Sequence, residues 1–189
     1  EGVAVLEQAL RNYPAMRHVI VSCNRAGRMM REFTGRENVC GIVLDEAVND
    51  RGLAMTSSFT NMVVTGQLLA HTFTLTAYER ILAELCEAGS RFLPNAVDAA
   101  FRLAVKDCAQ VIFVGTGALN AVARESALKA LEMTAGRVCT MSETSLGIRH
   151  GPLSALHKRT LLVSFLSGDP RRRSYELDLL AEIRRKKLG

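Results

Sequence analysis

Glu125, Lys129 and Glu132 stand at i, i+4 and i+7 in a run rich in Ala, Leu, Glu and Lys that begins at Ala118. On a helix that spacing sets all three on one face. Two carboxylates with a lysine between them admit two kinds of behaviour. On an exposed edge they form ordinary ion pairs, each contributing about 0.3–0.5 kcal/mol. In a semi-dry pocket, where burial raises a carboxylate's pKa and the neighbouring ammonium lowers it, one of them becomes a general base. His150 offers a second proton carrier. It lies in Arg149-His-Gly-Pro152, a loop about to enter a helix at Pro152, and imidazole is the side chain suited to moving protons in both directions near neutral pH. A third cluster, Thr56-Ser57-Ser58, heads a long apolar stretch. Hydroxyls and N–H groups there either cap a helix or receive an anion.

These residues need elements to hold them. Leu119, Val122, Ala127, Leu128, Ala130, Leu131 and Met133 surround the charged stripe, and Gly136 stands at the position of a C-terminal cap. A helix apolar nearly all round is usually buried, so the stripe is expected to face a cleft. Strands are predicted at 110–114, 137–141 and 160–165, parallel, with a helix over 118–135 packed on them. Gly115-Thr-Gly117 joins the first strand to that helix, as a generic phosphate turn does. Without a third Gly, or an acidic residue at the following strand end, it is weak evidence for a dinucleotide. No cofactor is predicted.

The first half carries the same alternation. Val3 to Asn12 reads as a helix, His18 to Cys23 as a strand suited to cover on both faces, Arg25 to Phe33 as a short helix behind an Asn24 cap, and Val39 to Leu44 as a strand. A polar stretch, Asp45 to Arg51, leads to a helix running from Thr56 to about Thr74. Tyr78 to Ala88 is helical, Pro94 and Asn95 begin a further helix through Asp107, and Tyr175, Leu179 and Ile183 give a last helix its apolar face. The fold class is therefore α/β, three-layer αβα, with doubly wound parallel sheets in two small units. The halves are 1–76 and 95–189, with a linker helix over 77–94.

Composition narrows the function classes. The chain has 189 residues, 48% hydrophobic and 23% charged, and a net charge of +5. The basic clusters Arg171 to Arg173 and Arg184 to Lys187 are interrupted by Asp169, Glu176, Asp178 and Glu182, with few aromatics nearby. That is a solvated helix with basic ends rather than a nucleic-acid surface, and the positive balance suits anionic small molecules. Five scattered cysteines without Cys-x-x-Cys indicate a reducing, cytoplasmic setting, with Cys23, Cys40 and Cys139 expected as small core residues. Four histidines without ligand spacing predict no metal. No apolar run approaches membrane-spanning length, so no membrane partner is expected.

Glu125-Ser-Ala-Leu-Lys129-x-Leu-Glu132, then a short strand and Arg149-His-Gly-Pro152, resembles the second sugar-isomerase (SIS) domain of tagatose-6-phosphate ketose/aldose isomerases. These are also described as galactosamine-6-phosphate deaminase/isomerases. The isomerase half of glucosamine-6-phosphate synthase has a similar helix and His-Gly-Pro. Asp50-Arg-Gly-Leu-Ala-Met-Thr-Ser-Ser-Phe-Thr60 resembles the family's first domain, and Ser174 to Glu182 resembles the end of its second. The resemblance runs in order along essentially the whole chain.

It implies flavodoxin-like SIS units, both partial here. The family's Gly-Thr-Ser and Ser-x-Ser-Gly-x-Ser/Thr phosphate loops would precede Glu1, and its C-terminal tail is missing. It further implies aldose–ketose isomerisation of a phosphorylated hexose or hexosamine through a cis-enediol(amine), with or without deamination. Glu132 is the expected base, His150 the ring-opening acid/base, and Lys129 the tuning cation. Leu53, Ala54, Thr56, Ser57 and Glu125 are expected against the substrate. In the related synthase the corresponding His enters the neighbouring subunit's site, so a homodimer is implied. The rival expectations are a non-catalytic sugar-phosphate-binding module of a regulator, or an incomplete inactive chain.

Overall fold

Short runs of Val, Ile and Phe become parallel strands, and the amphipathic stretches between them become helices. The structure, a computed structural model, describes residues 1–104 and 106–188. The chain divides into two compact units, Glu1–Ala88 and Gly89–Gly189.

In the first unit α1 (Gly2–Asn12), β1 (His18–Ser22), α2 (Arg28–Phe33), β2 (Val39–Val43) and α3 (Ser57–Ala70) follow in order. β1 and β2 pair in parallel, from His18 opposite Val39 to Ser22 opposite Val43. Leu10, Ile20, Met30, Phe33 and Val39 form one core, so α1 and α2 share the Ile20 face of the sheet. On the other face Val19 sits opposite Cys40, and both are exposed. This corrects the expectation of β1 covered on both faces and of Cys40 as a core residue. An apolar strand is suited to two layers, but its sequence does not supply the second one. α2 also starts later than its Asn24 signal, and α3 ends at Ala70.

α4 (Leu75–Ala104) is one helix of 30 residues with Pro94 inside it. The break expected at Pro94 does not occur. A proline is as compatible with a first helical turn as with a tolerated interior site, and only the surroundings decide between them. Asn95 Nδ2 donates to the Arg91 carbonyl at 3.3 Å within the turn that Pro94 interrupts. In the first unit, the buried Tyr78 donates its hydroxyl to the Val64 carbonyl at 2.7 Å and ties α4 to α3.

The second unit holds β3 (Gln110–Gly115), α5 (Ala118–Thr134), β4 (Cys139–Glu143), β5 (Thr160–Phe165) and α6 (Pro170–Lys186). The sheet is parallel throughout, in the order β4-β3-β5. β4 falls two residues later than expected, because the end of α5 uses Ala135 (φ 49°) as well as Gly136 (φ 74°) before the chain turns. Cys139, the first residue of β4, is exposed, again contrary to expectation. Ile112, Val114, Ile148, Leu156, Leu179 and Ile183 make the core. α6 begins where Asp169 accepts from the Arg172 N–H at 2.8 Å and Pro170 occupies the first turn. A Cβ at Gly115 would run into the Leu119 carbonyl, so only glycine lets α5 start this close to β3.

Candidate active site

α5 is built from strong helix formers and packs on the sheet through small residues: only Ala123 and Ala127 are buried. Val122, Leu128, Leu131 and Met133 are exposed. The helix expected to be buried nearly all round is thus covered on one side. A helix apolar on several faces does not say which of them meets the sheet, and here the alanine face does. The charged stripe lies between the two surfaces. Lys129 Nζ donates to Glu132 Oε2 at 2.7 Å and lies 3.4 Å from Glu125 Oε1. The side chains are 20% exposed for the lysine and 23% for each glutamate, which makes the trio half-buried rather than free surface charge. The hydrogen bond to Glu132, more than the second carboxylate, holds the Lys129 ammonium above its ordinary range. Lys129 therefore stays cationic at neutral pH and cannot be the base. It can steady negative charge on a carboxylate or on an oxygen brought beside it.

His150 ends a 3-10 turn, Gly147–His150, that follows the carboxyl end of β4. Ile148, fully buried, pins the turn into the core. The next residue, Gly151, has φ 134°, a conformation open to glycine, and Pro152 starts the following turn. His150 is exposed, and neither ring nitrogen has a hydrogen-bond partner among the described residues.

The unit does not bring His150 and Glu132 together. α5 leaves the carboxyl end of β3 and runs back, so Glu132, 14 residues after Ala118, lies about 21 Å along it. Only residues 135–138 then separate α5 from the start of β4. Glu132 is thus level with the amino ends of the strands and His150 with the carboxyl ends. Open parallel sheets place ligands at the carboxyl ends of their strands, and of the two residues only His150 lies there.

In the first unit Thr56 and Ser57 serve a residue absent from the nominated set. Asp50 accepts from the N–H groups of Thr56 (3.0 Å), Ser57 (3.1 Å) and Ser58 (2.8 Å), and from the Ser58 hydroxyl at 2.8 Å. The Ser58 N–H, then its hydroxyl, push the Asp50 carboxyl down to about 2. The anion at the start of α3 is the chain's own, and those N–H groups are already engaged. The spacing of Asp50 ahead of Thr56-Ser57-Ser58 is the signal that reveals it. Leu53 is exposed and Ala54 half-buried on the loop between.

A cavity of about 550 Å³ lies in the first unit along α1 and β1, lined by Val5, Leu6, Ala9, Val19 and Met29 among others, and by none of the nominated residues. Among the described residues no group of three or more His, Cys, Asp or Glu is placed to hold a metal ion. Among them, too, no helix is long and apolar enough to cross a membrane.

No protein-family model matches the chain. It is 36% identical over 186 residues to D-galactosamine-6-phosphate deaminase AgaS of Escherichia coli, covering 98% of this chain and 48% of that protein. It superposes on the crystal structure of tagatose-6-phosphate ketose/aldose isomerase from Escherichia coli with a TM-score of 0.88 and 35% identity, covering 98% of this chain and 50% of the other. The chain belongs to the SIS family. The C-terminal domain of glucosamine-fructose-6-phosphate aminotransferase from Francisella tularensis, 20% identical with a TM-score of 0.58, shares the fold over 88% of this chain and 55% of its own. This SIS chain spans about half the length of the curated relatives it matches, 48% in the case of AgaS.

Proposed function

We propose that this SIS chain belongs to an aldose–ketose isomerase of carbohydrate metabolism that acts on a hexose or hexosamine 6-phosphate. The observation that carries the reading is Lys129 held between Glu125 and Glu132 on a half-buried stripe. The relatives' names, an isomerase of tagatose 6-phosphate and a deaminase of galactosamine 6-phosphate, point to the same substrates.

The chemistry assigns each group a task. In ring opening the anomeric hydroxyl gives up its proton, its electrons form the carbonyl, the ring C–O bond breaks, and the ring oxygen takes a proton; His150 carries these protons. Glu132 then takes the proton from the carbon beside the carbonyl. The electrons move into a cis-enediol, and the proton returns to the neighbouring carbon. Lys129 steadies the enediolate oxygen. With an amino sugar the enediolamine tautomerises to a ketimine, and water releases ammonia. Glu125 holds Lys129 in place when Glu132 is protonated. Leu53, Ala54, Thr56 and Ser57 border the substrate; the Thr56 and Ser57 N–H groups are bound to Asp50 and their carbonyls accept from Thr60 and Asn61 within α3, which leaves the Ser57 hydroxyl and the Leu53–Ala54 stretch for it.

Glu132 and His150 belong to opposite edges of one unit, which supports a homodimer in which one site takes the two residues from different copies. The test follows solvent proton exchange at C1 and C2 of tagatose 6-phosphate and fructose 6-phosphate, with ammonia release from galactosamine 6-phosphate. Glu132→Gln keeps size and hydrogen bonding but cannot accept a C–H proton, so exchange should fall about 10²–10⁴-fold. Exchange at the wild-type rate in this variant would remove Glu132 as the base.

A further inference from the structure

Consecutive side chains of a 3-10 turn point about 120° apart, so three of them share out the full circle. In Gly147–His150 two of these directions are already taken. Ile148, fully buried, joins Ile112, Leu179 and Ile183 in the core. Arg149 reaches α6: its Nη2 lies 2.9 Å from Asp178 Oδ2 and its Nε 3.1 Å from Glu182 Oε2. Asp178 and Glu182 are one turn apart on α6, and Lys186 Nζ holds the other Glu182 oxygen at 2.6 Å. The Lys186 hydrogen bond first, and the Arg149 charge among further causes, keep the Glu182 carboxyl below its usual range. The direction left over belongs to His150.

Arg149 Nη2 donates a hydrogen bond to Asp178, while the buried Nε–H makes none and meets Glu182 through charge alone, so Asp178 sets the direction of the guanidinium and Glu182 adds attraction from one turn further along α6. The contact is half-buried on the Arg149 and Glu182 sides, 24% and 21% exposed, and open to solvent at Asp178. It joins the loop after β4 to the helix after β5, across β3 in the middle of the sheet.

We propose that Arg149, clamped by Asp178 and Glu182, is the positioning residue for His150: it sets how well the imidazole meets the ring oxygen, and so governs ring opening but not proton transfer between C1 and C2. The proposal rests on His150 being the ring-opening acid/base.

Two substrates separate the steps. Tagatose 6-phosphate closes a ring through its C5 hydroxyl. Its 5-deoxy analogue has no such hydroxyl, and its O6 carries the phosphate, so it stays open-chain and needs no ring opening. Arg149→Met should lower kcat on tagatose 6-phosphate about 10- to 100-fold with KM little changed, and leave C1 exchange on the 5-deoxy analogue within about twofold of wild type. The pair Asp178→Asn with Glu182→Gln should give the same split, and adding Arg149→Met to that pair should cost nothing more. Arg149→Lys, one contact instead of two, should fall between. Equal losses on both substrates would mean general damage and overturn the proposal, as would no loss on either. A His150→Gln variant without this split would overturn it by removing its object. Wild-type protein inert on both substrates would take down the isomerase reading itself, and the clamp with it.

Discussion

Lys129 sits closer to the proposed base, Glu132 at 2.7 Å, than to Glu125 at 3.4 Å. A substrate oxygen arriving beside Lys129 competes for the same ammonium, and Glu125 gives that ammonium somewhere to stay. The two neighbours of Glu132 therefore have different weights. On the proposed mechanism Lys129→Met removes the charge beside the intermediate but leaves the base, so its exchange rate should fall less than that of Glu132→Gln, whose expected loss is about 10²–10⁴-fold. Glu125→Gln should fall least. Solvent exchange measured on the three variants checks this order, and a Glu125 variant as crippled as the Glu132 one would exchange their roles. The stripe was legible because helical spacing alone groups 125, 129 and 132. Asp50 was passed over because the Thr56-Ser57-Ser58 cluster was read as a cap or an anion site by itself, without the carboxylate six to eight residues ahead that its N–H groups and hydroxyls bind. Arg149 was read only as part of a His-Gly-Pro signature, since its carboxylates come from residues 29 and 33 positions later.

At the scale of elements, α3 and α4 make opposite tests. Asp50 keeps the start of α3 in order only as an anion. Its carboxyl titrates near 2 in the folded chain, below its ordinary 3.8. A depressed carboxyl contributes stability that is present above the unfolded value and is lost as pH falls through the folded one. The melting-temperature advantage of the wild type over Asp50→Asn should thus hold constant above about pH 5 and shrink steadily toward pH 2. An advantage that grew with acid would contradict the geometry.

In α4 the discrepancy between sequence and structure is itself testable. A proline inside a helix costs about 3 kcal/mol, partly offset by about 0.4–1 kcal/mol because it restricts the unfolded chain. Pro94→Ala should then stabilise the protein by about 2 kcal/mol in denaturant titration. If the chain instead starts a new helix at Pro94, the same change is neutral or unfavourable. Strand positions were legible to within two residues because apolar run length governs them. Which helix face meets the sheet was not, since α5 buries its alanines and leaves Leu128 and Leu131 bare.

At the scale of the molecule, the parallel α/β class followed from the alternation of apolar strand runs and helices, and the structural relatives share it. The edge on which each residue lies was also within reach of the sequence. Only residues 135–138 join α5 to β4, so the end of α5 has to return to where β4 starts. Connectivity places Glu132 and His150 at opposite edges of the second unit, in keeping with the expectation that the two residues come from different copies.

The two cores suggest a last measurement. Leu10, Ile20, Met30, Phe33 and Val39 form one, Ile112, Val114, Ile148, Leu156, Leu179 and Ile183 the other, with no member in common. Phe33→Ala, at 2% exposure, opens a hole in the first and should cost about 3–5 kcal/mol. Leu179→Ala, at 0% exposure, opens one in the second and should cost about 2–5 kcal/mol. Cooperative melting spreads a cavity's cost over every residue that melts with it. In calorimetry each substitution should therefore lower one of two transitions and leave the other where it was. Two substitutions that moved a single shared transition would mean that the units unfold as one. The Leu179 variant carries a second expectation, because Leu179 lies between Asp178 and Glu182 on α6: loosening it should also weaken the hold of α6 on Arg149. Hydrogen exchange at the amides of residues 147–151 should then speed up in that variant and stay unchanged in the Phe33 one.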